Sequence, residues 1–151
     1  MASVSDILKT KGTSVACVRR DQTVLEAAQQ INIHRIGSLV ITEGDRVIGI
    51  FTERDIMTKV VAAQLDPART RVAELMTRPV RTCGLSTPVS ECKQMMSMLR
   101  IRHLPVVDGE KLVGIVTAGD ITARELLDSQ GAIEYLNEYI QGPGVVVPEA
   151  H

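Results

Sequence analysis

An internal repeat is the feature that most constrains this chain. The segment Gly49–Ile56 (GIFTERDI) returns as Gly114–Ile121 (GIVTAGDI), so the pattern G-I-x-T-x-x-D-I occurs twice, 65 residues apart. A duplicated unit that cannot bury its apolar face alone packs against its copy. We therefore expect one pseudo-twofold molecule with two related clefts between its halves. The same offset aligns further pairs: Val24 with Val89, Glu26 with Glu91, Arg35 with Arg100, Leu39 with Leu104, and Gly44 with Gly109.

Each repeat predicts a short helix, an extended stretch, a second helix, a two-stranded hairpin and a last helix. In repeat 1, Thr23 and Glu26 have the spacing of a capping box before residues 24–31, which show helical periodicity. In repeat 2, Thr87 is predicted as the N-cap and Pro88 as the first helical residue. The first helix recurs at a different offset, since Val4–Leu8 resembles Val72–Met76, 68 residues later.

The hairpins complete the repeat and set the fold class. Residues 38–42 and 46–51 flank a turn at Gly44, and residues 104–107 and 111–116 flank Asp108-Gly109, a strong turn signal. Helices that alternate with short aliphatic strands predict an α/β (α+β) fold.

The repeats also give the domain organisation. We expect a first domain over 1–64, a linker over 65–70 around Asp66-Pro67, and a second domain over 71–130. Residues 131–151 are expected to form a helical extension and a flexible tail, because the helical pattern crosses Gly131, ends at Gly142-Pro143-Gly144 and leaves Val145–His151 frayed.

The extension carries an apolar stripe. Ile133, Leu136 and Ile140 recur at helical spacing, with Tyr135 and Tyr139 one turn apart. This stripe predicts a homodimer. The alternative is that it covers its own subunit.

Charge and cysteine content exclude several classes of function. A net charge of −1, from 17 basic and 18 acidic side chains, gives no broad positive field for nucleic acid or an anionic membrane. No apolar run is long enough to span a bilayer, and the first ten residues lack the pattern of a secretory signal. Cys17, Cys83 and Cys92 have no metal-ligand spacing, so we expect no metal site but small buried side chains in a reducing cytoplasm. A redox or metal site is the alternative.

The two Thr-x-x-Asp elements, Thr52 to Asp55 and Thr117 to Asp120, lie where a strand turns into a helix. One interpretation is a plain capping box, because an acid is favoured in the first turn of a helix. The other is a ligand site, because a helix N-terminus in a cleft binds anions and a carboxylate can accept both hydroxyls of a ribose.

The repeat resembles the CBS domain, named after cystathionine β-synthase. Residues 36–41 with 49–55, and residues 101–108 with 114–120, carry the resemblance, which extends from Val4 to about Ser129. It implies a Bateman module in which two β-α-β-β-α halves pack with pseudo-twofold symmetry around clefts for adenosine-containing ligands.

The resemblance also implies roles for individual residues. Asp55 and Asp120 would hold ribose hydroxyls, with Thr52, Arg54 and Thr117 beside ribose or phosphate. Only repeat 2 has cations at the equivalent phosphate-facing positions, so the two sites are not expected to match. These positions are Gly37 and Ser38 in repeat 1 and Arg102 and His103 in repeat 2; the adenine would lie against the stretches that contain Ala16, Cys17 and Val18, and Thr82 and Cys83.

The resulting hypothesis is a regulatory module that binds AMP and signals to a protein partner. ADP, ATP, NAD and S-adenosylmethionine are the other candidate ligands. A structural dimerisation module with empty clefts is the alternative from another class. An enzyme is not expected, because no catalytic base, nucleophile or metal-ligand cluster is apparent in the pattern.

Overall fold

The computed structural model describes residues 1–141. The helices and strands follow one another twice in nearly the same order. In chain order they are α1 (Val4–Lys11), β1 (Cys17–Arg19), α2 (Val24–His34), β2 (Ser38–Glu43), β3 (Arg46–Thr52), α3 (Glu53–Asp55, continued by a π-helical turn over Ile56–Val61), α4 (Val72–Leu75), α5 (Val89–Leu99), β4 (His103–Asp108), β5 (Lys111–Thr117) and α6 (Ala118–Gln141).

The two long helices of the repeats begin differently. At α2 the Thr23 hydroxyl accepts a hydrogen bond from the backbone N–H of Glu26, as predicted. At α5 the predicted cap is wrong by one residue, because Pro88 occupies the N-cap and provides no side-chain bond. Thr87 instead accepts a hydrogen bond from the N–H of Gly84 at 2.9 Å, so its hydroxyl closes the preceding turn.

The strands form one sheet in the order β1-β2-β3-β5-β4. The two predicted hairpins are present, and Gly44 and Gly109 take the positive φ angles of their turns, 62° and 63°. Within the sheet, the two hairpins are joined where Arg46 of β3 pairs with Lys111 of β5, and the N–H of Leu112 donates to the carbonyl of Asp45 at 3.0 Å. β1 runs parallel to β2, and in the second half a single parallel bridge from Cys83 to Val106 takes its place.

Each half has its own apolar core, and each core includes the first helix of the other repeat. Val4, Ile7 and Leu8 of α1 lie in the core built on β4, β5 and α5. Val72 of α4 and Met76, which follows it, lie in the core built on β2, β3 and α2. The repeats have therefore exchanged their first helices.

The two repeated glycines explain how this exchange fits. A Cβ atom added to Gly114 would lie 2.8 Å from Cδ1 of Leu8, and one added to Gly49 would overlap Sδ of Met76. These strand positions are glycine because a side chain of the exchanged helix occupies the space above them.

α6 continues as one helix across Gly131, as predicted. The predicted stop at Gly142-Pro143-Gly144 and the frayed tail lie outside the described residues. Among residues 1–141, no helix is long and apolar enough to cross a membrane.

Candidate functional site: two related clefts

Two clefts open between the halves, one beside each Thr-x-x-Asp element. The Thr117 cleft has a volume of about 440 Å³ and the Thr52 cleft about 410 Å³. The Thr117 cleft is lined by Lys11, Ser14, Ala16, Arg35, Ile36, Gly37, Ser38, Glu53, Arg102, His103, Ile115, Thr117, Ala118 and Gly119. The Thr52 cleft is lined by Gly37, Ile50, Thr52, Glu53, Arg54, Asp55, Thr77, Arg100, Ile101, Arg102 and His103.

Both Thr-x-x-Asp elements are helix caps in this structure. Oδ2 of Asp55 accepts a hydrogen bond from the N–H of Thr52 at 2.9 Å, and the N–H of Asp55 donates to the Thr52 hydroxyl at 3.3 Å. The same pair of bonds joins Asp120 and Thr117 at 2.8 and 3.2 Å. The cap holds each carboxylate at the start of a helix. Asp55 lines its cleft, whereas Asp120 is not among the lining residues of the Thr117 cleft and adjoins them through Gly119 and Lys11.

A lysine contacts each carboxylate, but the two lysines come from different places. Lys59, one helical turn after Asp55, lies 3.2 Å from its Oδ1. Lys11 comes from the exchanged helix α1 and contacts Oδ2 of Asp120 at 2.6 Å, while it also donates to the carbonyl of Ile115 at 3.0 Å.

The two carboxylates therefore differ in whether an oxygen atom remains available to accept a hydrogen bond from a ligand. Oδ2 of Asp55 accepts hydrogen bonds from Thr52, and Oδ1 is the oxygen that contacts Lys59, so both oxygens have a protein neighbour and the side chain is 11% exposed. Asp120 concentrates its bonds on Oδ2, and its side chain is 21% exposed. Within residues 1–141 no hydrogen bond reaches Oδ1 of Asp120, so this oxygen can accept a bond from a ligand.

Four residues line both clefts and form a shared wall between them: Gly37, Glu53, Arg102 and His103. Two equivalent backbone bonds hold the wall, from the N–H of Glu53 to the carbonyl of Gly37 at 3.0 Å and from the N–H of Ala118 to that of Arg102 at 2.9 Å. Arg102 and His103, both from repeat 2, therefore line both clefts rather than one.

Burial of the His103 ring lowers the pKa of its imidazole below the ordinary 6.5. Glu53 and Asp120 oppose this effect, and the positive charges of Arg102 and Lys11 add to it. The ring is therefore neutral near pH 7. An anion placed beside it would favour the protonated form.

Two arginines that the sequence analysis did not assign to a site also line the clefts. Arg35 lies in the Thr117 cleft and Arg100 in the Thr52 cleft. Each ends its helix in the left-handed conformation, at φ of 51° and 54°. Their recurrence at the offset of the repeat was the available signal. Lys11 and Glu53 were also missed, and they have no such signal, because neither has a counterpart of the same kind in the other repeat.

The residues expected near the adenine are not all brought together. Ala16 lines the Thr117 cleft, as does Ser38, which was expected to face the phosphate and is buried. The side chains of Val18 and Cys83 lie in the two cores, so only their backbones are free to meet a ligand. Thr82 lines a different cavity, beside Val80 and Val107.

The cysteines follow the expectation of burial only in part. Cys83 and Cys92 are buried in the core of the second half, and the pKa of the Cys83 thiol is raised because this thiol donates a hydrogen bond to Cys92 and is buried. Cys17 is exposed, because it lies on the outward face of the edge strand β1 while Val18 takes the inward face. No group of three His, Cys, Asp or Glu residues in the described part of the chain could hold a metal ion.

A comparison with family models identifies the repeats. The CBS domain model matches residues 4–62 and again residues 72–126. This chain belongs to the CBS domain family. It is a tandem pair of CBS domains, in agreement with the resemblance noted from its sequence.

Proteins of known name and structure resemble it over most of its length. Hypoxic response protein 1 of Mycobacterium tuberculosis is 36% identical over 83% of this chain and 86% of its own length. The structure of a putative signal-transduction protein with CBS domains from Burkholderia ambifaria matches with a TM-score of 0.80 and 37% identity, over 84% of this chain and 96% of that one.

One solved CBS structure contains a nucleotide. The CBS domain protein of Pyrobaculum aerophilum complexed with AMP matches with a TM-score of 0.71 and 26% identity, over 79% of this chain and 89% of that chain.

Proposed function

We propose that this protein is a regulatory module that binds adenine nucleotides, AMP first among them, in the two clefts between its halves. The observation that carries the proposal is that a helix-start carboxylate lies beside each cleft together with cationic side chains that line it, namely Lys11, Arg35 and Arg102 in the Thr117 cleft and Arg54, Arg100 and Arg102 in the Thr52 cleft. A carboxylate suits ribose hydroxyls and the cations suit phosphate. Clefts of this volume also lie in the range of small-molecule sites.

The Thr117 cleft is the proposed primary site. Oδ1 of Asp120, which adjoins this cleft, would accept from a ribose hydroxyl, while Lys11, Arg35 and Arg102 line the cleft and would meet the phosphate. The small side chain of Ala16 leaves room for a flat base on the remaining side. The AMP complex of the P. aerophilum relative supports an adenine nucleotide as the class of ligand.

The proposed mechanism is a shift of population between conformations. A ligand that contacts both halves favours the arrangement in which the halves suit it best, and a partner protein responds to that arrangement. ADP, ATP, NAD and S-adenosylmethionine share the adenosine group and are the further candidates. The role is regulatory rather than catalytic, and the proposed location is the cytoplasm.

One observation favours a second function, a structural module with empty clefts. Both carboxylates already serve as helix caps and already contact lysines, so neither needs a ligand to be satisfied. In that case the two Thr-x-x-Asp elements would only stabilise helix starts.

Thermal unfolding in the presence of AMP, ADP, ATP, NAD, S-adenosylmethionine and adenosine separates the two functions. A ligand at a hundred times its dissociation constant stabilises the fold by about 2.7 kcal/mol per site. We expect AMP to raise the melting temperature by several degrees, and guanosine monophosphate to serve as the control. If no adenosine compound shifts the transition at millimolar concentration, the structural function is the correct one.

A further inference from the structure

The wall between the two clefts is built from equivalent positions of the two repeats, but the long side chains at these positions come from one repeat only. Arg102 and His103 follow Gly37 and Ser38 at the offset of the repeat, 65 residues. The carbonyls of Gly37 and Arg102 accept equivalent hydrogen bonds, at 3.0 and 2.9 Å, from the first residue of the helix in their own halves. Gly37 has no side chain and Ser38 is buried. The first repeat therefore supplies no cation at these positions.

The His103 ring lies against the place where the first repeat lacks a side chain. A Cβ atom added to Gly37 would lie 3.0 Å from Nε2 of this ring. The ring is therefore packed across the boundary between the repeats. Because position 37 is a glycine, the ring has room to border both clefts.

The Arg102 side chain also borders both clefts, and it is exposed. None of the ion pairs among residues 1–141 involves it. A guanidinium binds a phosphate through two parallel hydrogen bonds from a rigid fork of donors. Such a fork can face the phosphate in one cleft or in the other, but not both at once.

Each cleft also has cations that line it alone. Lys11 and Arg35 line the Thr117 cleft, and Arg54 and Arg100 line the Thr52 cleft. A second nucleotide therefore retains the phosphate contacts of its own cleft when Arg102 and His103 hold the first. It lacks only the shared contact.

We propose that a nucleotide in one cleft weakens the binding of a second nucleotide in the other, because Arg102 and His103 hold the phosphate of only one of them at a time. This inference rests on the proposed function and adds a coupling between its two sites. The weakening is about tenfold or more, since a hydrogen bond to a charged group contributes that factor. The coupling is reciprocal, so either cleft weakens the other by the same factor.

Titration calorimetry with AMP measures the coupling through a variant that disables one site. Asp120→Ala removes the proposed ribose contact beside the Thr117 cleft and leaves the lining of the Thr52 cleft unchanged. In this variant the Thr52 cleft binds AMP with its neighbour empty, whereas the second AMP of the wild type binds with its neighbour filled. We expect AMP to bind the variant about tenfold or more tightly than it binds the wild type in the second step.

The outcomes separate the coupling from the proposed function. Two AMP molecules that bind the wild type with no such difference overturn the coupling and leave the proposed function standing. The coupling is also overturned if the wild type binds one AMP and Asp120→Ala binds none, because the Thr52 cleft is then not a site. A wild type that binds no AMP overturns the proposed function, and the coupling with it.

Adenosine is the matched control ligand, because it has the base and the ribose but no phosphate. With adenosine, the affinity of Asp120→Ala should equal that of the second step in the wild type. If adenosine shows the same difference as AMP, the shared phosphate contacts are not its cause and the inference is wrong.

Arg102→Met, combined with the same Asp120→Ala comparison, tests the shared residue. It should lower the coupling factor for AMP severalfold, because neither phosphate then gains the guanidinium. Arg54→Met is the matched control, since Arg54 lines the Thr52 cleft alone, and it should weaken AMP binding there without changing the factor. A factor that survives Arg102→Met unchanged indicates direct repulsion between the two phosphates and overturns the inference.

Discussion

The Thr117 and Thr52 clefts are built from equivalent backbone elements, but the protein groups that contact their two carboxylates differ. In the Thr52 cleft, the lysine on the carboxylate comes from the same helix, and both oxygens of Asp55 have protein partners. In the Thr117 cleft, the lysine reaches Asp120 from α1, which belongs to the other repeat, and one oxygen stays available. Duplication preserved the backbone of the site, and substitutions around it made the two sites unequal.

The difference teaches that a matching motif does not imply matching affinity. A ligand in the Thr52 cleft must compete with Lys59 for Oδ1 of Asp55. A ligand in the Thr117 cleft meets a free oxygen. We therefore expect the Thr117 cleft to fill first.

Replacement of the two aspartates tests this order most strongly. Asp120→Ala should weaken the binding of both AMP and adenosine by tenfold to a thousandfold, because a hydrogen bond to a charged group contributes about 1.5–3 kcal/mol and 1.4 kcal/mol is about tenfold. Asp55→Ala should weaken the first binding event less than about tenfold. Titration calorimetry measures both.

Asp120→Asn and Asp55→Asn are the controls for the helix cap, since the amide oxygen still accepts from the threonine N–H. If both alanine variants bind AMP like the wild type, the carboxylates are only caps.

Substitution of the glycine beneath each exchanged helix compares the packing of the two cores. Gly49→Ala and Gly114→Ala should each lower the free energy of unfolding by about 1–3 kcal/mol, because the new methyl group meets Met76 or Leu8. Denaturant unfolding measures this loss. Met76→Ala should partly rescue Gly49→Ala but not Gly114→Ala. Equal stability of all these variants would contradict the exchanged packing.

The pH dependence of AMP binding tests whether His103, in the wall shared by the two clefts, contacts the phosphate. Burial holds the pKa of His103 below its ordinary value, so the ring is neutral at pH 7 and donates a charged hydrogen bond only once it is protonated. Affinity should therefore rise as the pH falls through the pKa of the ring in the AMP complex and level off below its pKa in the free protein, by up to tenfold for each unit by which AMP raises the pKa.

His103→Gln is the control, because the phosphate of AMP titrates in the same range. The variant should retain the part of the pH dependence that comes from the phosphate of AMP and lose the part that comes from His103. If wild type and variant show the same pH profile, His103 does not meet the phosphate.

The smallest expected effect comes from the lysines. Lys59→Met frees Oδ1 of Asp55, so adenosine should bind the Thr52 cleft two- to fivefold more tightly. Adenosine is used because it has no phosphate, so the loss of a positive charge cannot weaken its binding through that group. Lys11→Met leaves the already free Oδ1 of Asp120 unchanged and should alter adenosine affinity less. Calorimetry with adenosine on the two variants gives the comparison. A larger gain for Lys11→Met would reverse the proposed order of the clefts.

Local patterns in the sequence predicted the local structure well. The turn glycines predicted both hairpins, and the helical spacing of the apolar residues predicted that α6 continues across Gly131. The prediction that Thr87 caps α5 was wrong for a local reason. Its hydroxyl could accept from an N–H of the first turn of the helix or from the N–H of Gly84, and it accepts from Gly84.

Contacts between the repeats were the part that the sequence did not reveal. Lys11 reaches Asp120 across 109 positions, and no periodicity relates them. The exchange of α1 and α4 left one trace, since these helices recur at an offset of 68 whereas the rest of the repeat recurs at 65. An element that sits apart from its own repeat can tolerate a change in connecting length.

The exchange also has a consequence for how this chain emerges during synthesis. The first core lacks Val72 and Met76 until the start of the second repeat has left the ribosome. The amphipathic helix α1 is made before the strands β4 and β5 on which it packs, which follow it by about a hundred residues. The nascent first half must therefore remain incomplete and partly exposed until the second half has been made, and neither half can mature while the other is still being made.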